Sequence, residues 1–333
     1  MRPERRSDAI AEAEAPMIPD PALEPTAIRA AYERIPRVFR DAPQYVHEGL
    51  SARLGSPVIV KVETVNPIRS FKGRGTWIAV EALAASGRIG PGRPIVCASA
   101  GNFGQGVAYA ARALGVPAVV FCSMHANRAK VARMRALGAK VIETGDDFDG
   151  ARAASEAHAA DGDAELLVDG EDQRISMGAA TLALEVTDAV ADGSFPAPVI
   201  ASIPVGNGAL LNGVGSWLRG ALPSCRVRGV QAELADAMTR SWRAGRPIDT
   251  PTASTYADGI ASRIAIPRAV ALMPGRVDEM ITVSDDELRA AQATLTEELG
   301  IAVEGAAAAS WAGLLTGDGP AGPALVIITG SNV

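Results

Sequence analysis

Apolar positions along this chain follow two periods, and the two alternate. Short runs rich in β-branched residues ("SPVIVKVE", "PIVCAS", "PAVVFC", "KVIET", "ELLVD") have the length of buried strands. Between them lie "GTWIAVEALAAS", "GVAYAARALG", "RAKVARMRALG" and "GARAASEAHAA", whose apolar residues recur at helical spacing. Such alternation predicts right-handed βαβ units and a parallel sheet. A second series runs through "PVIASIPV", "GALLNGVGSWLRGAL", "RVRGVQAE", a helix pair over 285–315 and a final "ALVIIT", and an early helix is expected at "AIRAAYERI". The expected fold class is α/β, with two open, twisted, mostly parallel sheets flanked by helices. The stretch 244–274, richer in Pro, Gly, Ser and Thr, reads as a long loop.

Composition narrows the class. With 333 residues, 48% hydrophobic and 21% charged, the chain is long enough for two domains with a sizeable core. A net charge of -6 and the lack of any nucleic-acid motif argue against a nucleic-acid partner. Cys97, Cys122 and Cys225 show no CxxC spacing and read as buried thiols in a reducing compartment. The start, "MRPERRSDAIAEAEAP", has charge without an apolar core, and no stretch approaches the ~20 apolar residues that span a bilayer. A cytoplasmic protein without a membrane partner is expected, with residues 1–26 disordered. His47, His125 and His158 show no ligand spacing and read as structural.

Open α/β sheets bind ligands at the carboxyl ends of their strands, where loops lead into helix N-termini. Four glycine-rich turns stand there: "NPIRSFKGRG" (66–75), "SAGNFGQG" (99–106), "PVGNGALLNG" (204–213) and "ITGSNV" (328–333). Lys72 in the first is a surface loop lysine, a nucleophile or a phosphate holder. The third converges backbone N–H groups on a helix start, a recipe for holding phosphate. It is neither a GxxxxGK[ST] loop nor a GxGxxG fingerprint, which disfavours a nucleoside triphosphate or dinucleotide. Any one of these turns alone is explained as a structural connection; together they place a lysine, an amide-rich loop and a phosphate cup around one crevice.

"SFKGRG", "SAGNFGQG", "PVGNGALLNG", "YADGIA" (256–261) and "TGSNV" occur in the order and rough spacing of the threonine/serine dehydratase-like branch of fold type II pyridoxal-phosphate enzymes, and the chain resembles that family from about residue 27 to the end. The resemblance implies a small substrate-loop domain at 94–171 inserted in a large cofactor domain made of 27–93 and 172–333. It implies pyridoxal 5'-phosphate as cofactor, Lys72 as the Schiff-base lysine and base at the substrate α-carbon, Phe71 packed on the cofactor ring and Asn102 on its 3-hydroxyl. Gly206, Asn207, Gly208, Ala209 and Leu210 would cradle the phosphate. Ser99, Ala100, Gly101 and Asn102 would receive the substrate carboxylate. Thr329 would face the pyridine nitrogen, with Ser331 as the alternative if the register slips.

Departures from the family pattern carry information too. Ala100 stands where serine racemases of this branch place a second base, which disfavours racemisation. The four-glycine run is broken by Asn207 and Ala209, as in threonine synthase-like members. Phe103 replaces a frequent histidine and makes that wall apolar. Arg69 is either a solvated turn residue or a cation near the substrate's distal group. Glu304 either lines the site or serves the N-terminus of its helix. Gln231 replaces the first glutamate of the racemase-like metal site, and Glu233 and Asp236 nearby read as surface carboxylates, so no metal is expected. The resemblance points to a pyridoxal-phosphate lyase that eliminates the β-substituent of a small β-hydroxy or β-substituted L-amino acid, giving a 2-oxo acid and ammonia. The alternative is β-replacement by a second nucleophile, as in cysteine synthase-like and threonine synthase-like enzymes. An idle binding domain is disfavoured, because it needs no Schiff-base lysine. A homodimer is implied, and no regulatory domain is expected after "TGSNV".

Overall fold

The computed structural model describes residues 17–316 and 319–333. Ten strands are present among them: β1 (Gln44–Val46), β2 (Val58–Val62), β3 (Ile95–Ala98), β4 (Ala118–Cys122), β5 (Lys140–Glu143), β6 (Glu165–Leu166), β7 (Ile200–Pro204), β8 (Arg226–Ala232), β9 (Glu279–Val283) and β10 (Ala324–Ile328). The larger sheet has the order β1-β2-β10-β7-β8-β9 and the smaller β5-β4-β3-β6. Every pairing is parallel except β1 on β2. The chain thus leaves the large sheet after β2, builds the small one, and returns at β7.

Strands β2, β7 and β10 are buried at every position, as expected of a parallel sheet covered on both faces. Successive residues serve opposite cores. On β10, Leu325 and Ile327 pack with Ala183, Leu211, Val214 and Trp217, while Val326 and Ile328 pack with Ala307, Ala308 and Trp311. The helices Lys72–Ala85 and Gln173–Ala191 touch backbone to backbone: a Cβ added at Gly178 would sit 2.5 Å from Gly75 Cα. That contact fixes the helix that begins with Lys72.

Beneath the same helix lies a buried charge network. Arg74, fully buried, donates from Nε and Nη2 to Glu63 at 2.8 and 2.9 Å, and from Nη1 to Glu185 Oε1 at 2.7 Å. Lys61 pairs with Glu185 and donates to Ala42 O at 2.8 Å. Burial alone would raise the Glu185 carboxyl, but Arg74 and Lys61 outweigh it and hold it below the usual carboxylate range.

Several elements differ from expectation. The helix Gln173–Ala191 was not anticipated, because it is buried without interruption from Ile175 to Thr187 and shows no polar stripe. Strands β1 and β9 also escaped, and the loop expected at 244–274 holds a 3-10 turn at Asp258–Ile260 and a helix at Pro267–Leu272. Of the start expected to be disordered, residues 17–26 carry a 3-10 turn at Pro21–Leu23 and the beginning of the helix Pro25–Arg34, whereas residues 1–16 lie outside the described residues. The three cysteines are buried and unpaired; burial pushes the Cys225 thiol up to about 12 and raises Cys97 and Cys122 as well. Among the described residues, no helix is long and apolar enough to cross a membrane.

Candidate active site

The carboxyl ends of β2, β3, β7 and β10 converge on a cavity of about 750 Å³. Its wall includes Phe71, Lys72, Ser99, Ala100, Gly101, Asn102, Gly206, Asn207, Gly208, Leu210, Glu304 and Thr329, so the structure brings these sequence candidates together. Ala209 sits behind the wall as the buried first residue of its helix. Arg69 does not join them: it is exposed, holds a left-handed φ of 52°, and is absent from the wall. Its carbonyl accepts from Ser331 N–H at 3.0 Å, so the turn is pinned while the guanidinium faces outward. Ser331 also lies off the wall.

Lys72 is the first residue of its helix, and the last strand holds it there. Phe71 N–H and Ser70 Oγ both donate to Thr329 O, at 3.1 and 3.0 Å. The Lys72 ammonium lies 5.0 Å from the Phe71 ring centroid and 5.8 Å from that of Phe103, and it donates to Asp169 Oδ2 at 2.5 Å.

Asn102 opens the helix Asn102–Ala113 after β3. Its Nδ2 donates to Glu304 Oε2 at 2.9 Å, and its Oδ1 accepts from Asn332 Nδ2 at 2.7 Å. Asn332 also donates from Nδ2 to Ile68 O at 2.8 Å and from its backbone N–H to Glu304 Oε1 at 2.7 Å. The ring of bonds sets the Asn102 amide in one orientation. Glu304 is thus a cavity residue rather than a cap, since its helix shows no side-chain cap bond. Burial raises its carboxyl above the usual range, against the pull of Lys130, Asn102 and Asn332. Ser99 Oγ accepts from Gly101 and Gly104 N–H at 3.1 and 2.9 Å and so shapes the loop before Asn102.

At the opposite wall, Gly208 caps the helix Ala209–Ala221 with φ of 93°, a conformation that suits only glycine. It offers no side-chain cap; Asn207 Oδ1 takes Ala209 N–H at 3.2 Å, and Gly206, Asn207, Gly208 and Leu210 line the cavity at this helix start. A Cβ at Gly206 would meet Gly259 O at 2.7 Å. A glycine-rich turn at a helix start can hold an anion without a cation.

Several residues in and around the cavity escaped the sequence reading. Lys130 lies against Gly101 and donates to Asp258 Oδ2 at 2.5 Å; Arg263 Nε donates to Asp149 Oδ2 at 2.7 Å; Asp169 contacts Lys72; Asn332 orients Asn102. Asp258 and Asn332 stood inside quoted motifs, but nothing local marked their partners. Gln231 is buried and accepts from Thr239 N–H and Oγ1 at 2.7 and 2.9 Å, away from the cavity wall.

A lysine, an anion cradle and an oriented amide around one crevice define a cofactor enzyme, and comparison supplies the class. A family profile described as "Pyridoxal-phosphate dependent enzyme" matches residues 38–330, and the chain belongs to that family. Within it, the chain is 32% identical over 285 residues to an L-threonine ammonia-lyase of Thermotoga maritima, covering 85% of this chain and 69% of that one. It is 33% identical over 301 residues to a phenylserine dehydratase of Ralstonia pickettii, covering 88% and 87%. A solved T.th. threonine deaminase superposes with a TM-score of 0.83 at 31% identity, covering 92% of this chain and 97% of that one. The cofactor of this enzyme is pyridoxal phosphate, and the cavity suits it: an amine for its aldehyde, a flanking phenyl ring, and a glycine-rich helix start for its phosphate.

Proposed function

We propose that this enzyme is an ammonia-lyase that eliminates the β-substituent of a small β-hydroxy L-amino acid, releasing a 2-oxo acid and ammonia. The placement of Lys72 carries the reading: it shares one cavity with the glycine-rich helix start at Gly208 and with the oriented amide of Asn102. The bound cofactor supplies an aldehyde that links to amines and a ring that stabilises negative charge at the substrate α-carbon.

Lys72 would hold the cofactor through Nζ. Gly206, Asn207, Gly208, Ala209 and Leu210 would hold its phosphate at the helix start, with Ala209 set behind the wall and its N–H turned to Asn207 Oδ1. Phe71 would pack beside the ring, the Asn102 amide would face the ring hydroxyl, and the Thr329 hydroxyl would face the ring nitrogen. A neutral partner there favours elimination over deeper carbanion chemistry. Ser99 to Asn102, at the positive end of a helix with the Lys130 ammonium alongside, receive the substrate carboxylate. With a substrate in the cavity, Lys72 Nζ would take the α-proton. Phe103 gives the cavity an apolar wall for the side chain.

We assign the insert 94–171 as a small domain on the large one of 27–93 and 172–333, and assign the enzyme to the cytoplasm as a homodimer. Light scattering is expected to give twice the chain mass. The test of function follows the visible spectrum of the purified protein as L-serine, L-threonine and β-phenylserine are added singly. A cofactor band that shifts with one amino acid and recovers as 2-oxo acid accumulates is expected. Turnover that waits for a thiol or amine would sink the lyase reading in favour of β-replacement.

A further inference from the structure

Loss of a β-hydroxyl at neutral pH requires a proton on the departing oxygen, and the residues named so far do not deliver one. Asp169 sits where such a proton is needed. It follows β6, at the carboxyl end of the small sheet, and lines the cavity. Its Oδ2 lies 2.5 Å from Lys72 Nζ, and its Oδ1 is buried with no hydrogen-bond partner among the described residues. Most other carboxylates of the wall are engaged elsewhere: Glu304 with Asn102 and Asn332, Asp258 with Lys130, Asp149 with Arg263. Asp147 Oδ1 caps Gly150 N–H at 2.9 Å.

We propose that Asp169 is a catalytic residue that relays the proton Lys72 removes. Lys72 Nζ takes the proton from the substrate Cα, passes it to Asp169, and Asp169 gives it to the β-oxygen as the Cβ–O bond breaks. The Cα hydrogen and the β-hydroxyl leave together as water, and both residues return to their starting protonation, so no oxidant or further reactant is needed. The simpler role, a counter-ion that only steadies Lys72, predicts a different response to the leaving group. The relay rests on the elimination reading.

The experiment compares holoenzyme with its Asp169→Asn variant on two substrates: L-serine, whose hydroxyl needs a proton to leave, and β-chloro-L-alanine, whose chloride does not. Borohydride-reduced protein is also mapped by mass spectrometry. The variant is expected to keep the cofactor mass on Lys72 and to exchange the serine α-hydrogen with deuterated solvent. Its release of 2-oxo acid from L-serine should fall about 100-fold while release from β-chloro-L-alanine stays close to wild type. Equal losses on both substrates, no loss on either, or a missing cofactor mass would overturn the relay and leave Asp169 as a counter-ion. Wild-type enzyme that releases 2-oxo acid from none of L-serine, L-threonine, β-phenylserine and β-chloro-L-alanine would overturn the elimination reading itself, a failure seen without any variant.

Discussion

The floor and the mouth of the cavity are built by opposite means. At the floor, Lys72, Asn102, Thr329 and Asn332 are held by strand ends and by each other, and the Glu304 carboxylate is buried with both oxygens bonded. At the mouth, helices of the small sheet meet the segment 258–263 through ion pairs: Arg263 with Asp149, at 36% and 24% exposed, and Lys130, itself buried, with Asp258, whose side chain is 57% exposed. Phe148 beside them is half exposed. Buried, bonded groups fix geometry because leaving any one unpaired is expensive, whereas a pair with a solvated partner separates at lower cost. The floor is suited to hold a cofactor in one pose, and the mouth to admit and release substrates.

Substitutions should rank along that contrast. The largest effect is expected beneath the floor, where Arg74→Met takes the bidentate partner from the buried Glu63 and leaves Lys61 as the one cation facing both Glu63 and Glu185; the loss of stability should reach about 3–5 kcal/mol, read from urea unfolding. Within the floor, Glu304→Ala deprives Asn102 and Asn332 of their acceptor. Stability is expected to drop by about 2 kcal/mol, and the cofactor band to weaken as the Asn102 amide loses its orientation. A loss under about 0.5 kcal/mol with an unchanged band would show that the ring of bonds does not set the amide.

Acidity gives a finer probe. Because burial holds the folded Glu304 carboxyl above its unfolded value, its contribution to stability is full below the ordinary glutamate range and fades as pH rises through the raised one. Wild type should therefore lose stability relative to Glu304→Gln across that window. A difference between the two that does not vary with pH would contradict the raised value. The smallest effect is expected at the mouth. Arg263→Ala should cost at most about 1 kcal/mol, leave the cofactor band intact and act on KM. A cost as large as that of Glu304→Ala would erase the distinction between floor and mouth.

The same contrast explains what could be read from the chain. Floor residues sit in short motifs, because a turn at the end of a parallel strand must solve its own backbone problem locally. Gly208 needs its left-handed φ and Lys72 needs its place at the helix start, and both constraints leave marks in the sequence close by. The alternation of strands and helices likewise exposed both sheets. Partnerships across the fold leave no local mark: Asp169 meets Lys72 through the small sheet, and Arg263 meets Asp149 from a segment that read as a loop. Arg69 shows the converse, since proximity in sequence to Lys72 did not bring its side chain to the cavity. The helix Gln173–Ala191 was hidden by burial on every side, which erases the polar face that betrays a helix.

The most direct test of the central claim uses the scarcity of lysine. The chain has four: Lys61, Lys72, Lys130 and Lys140. Lys61 is buried in the charge network, Lys140 is exposed on β5, and only Lys72 and Lys130 line the cavity. Reducing the holoenzyme with borohydride and mapping its peptides by mass spectrometry should place the cofactor mass on Lys72 alone. The mass on Lys130, or on neither cavity lysine, would contradict the assignment of the floor as the cofactor's site.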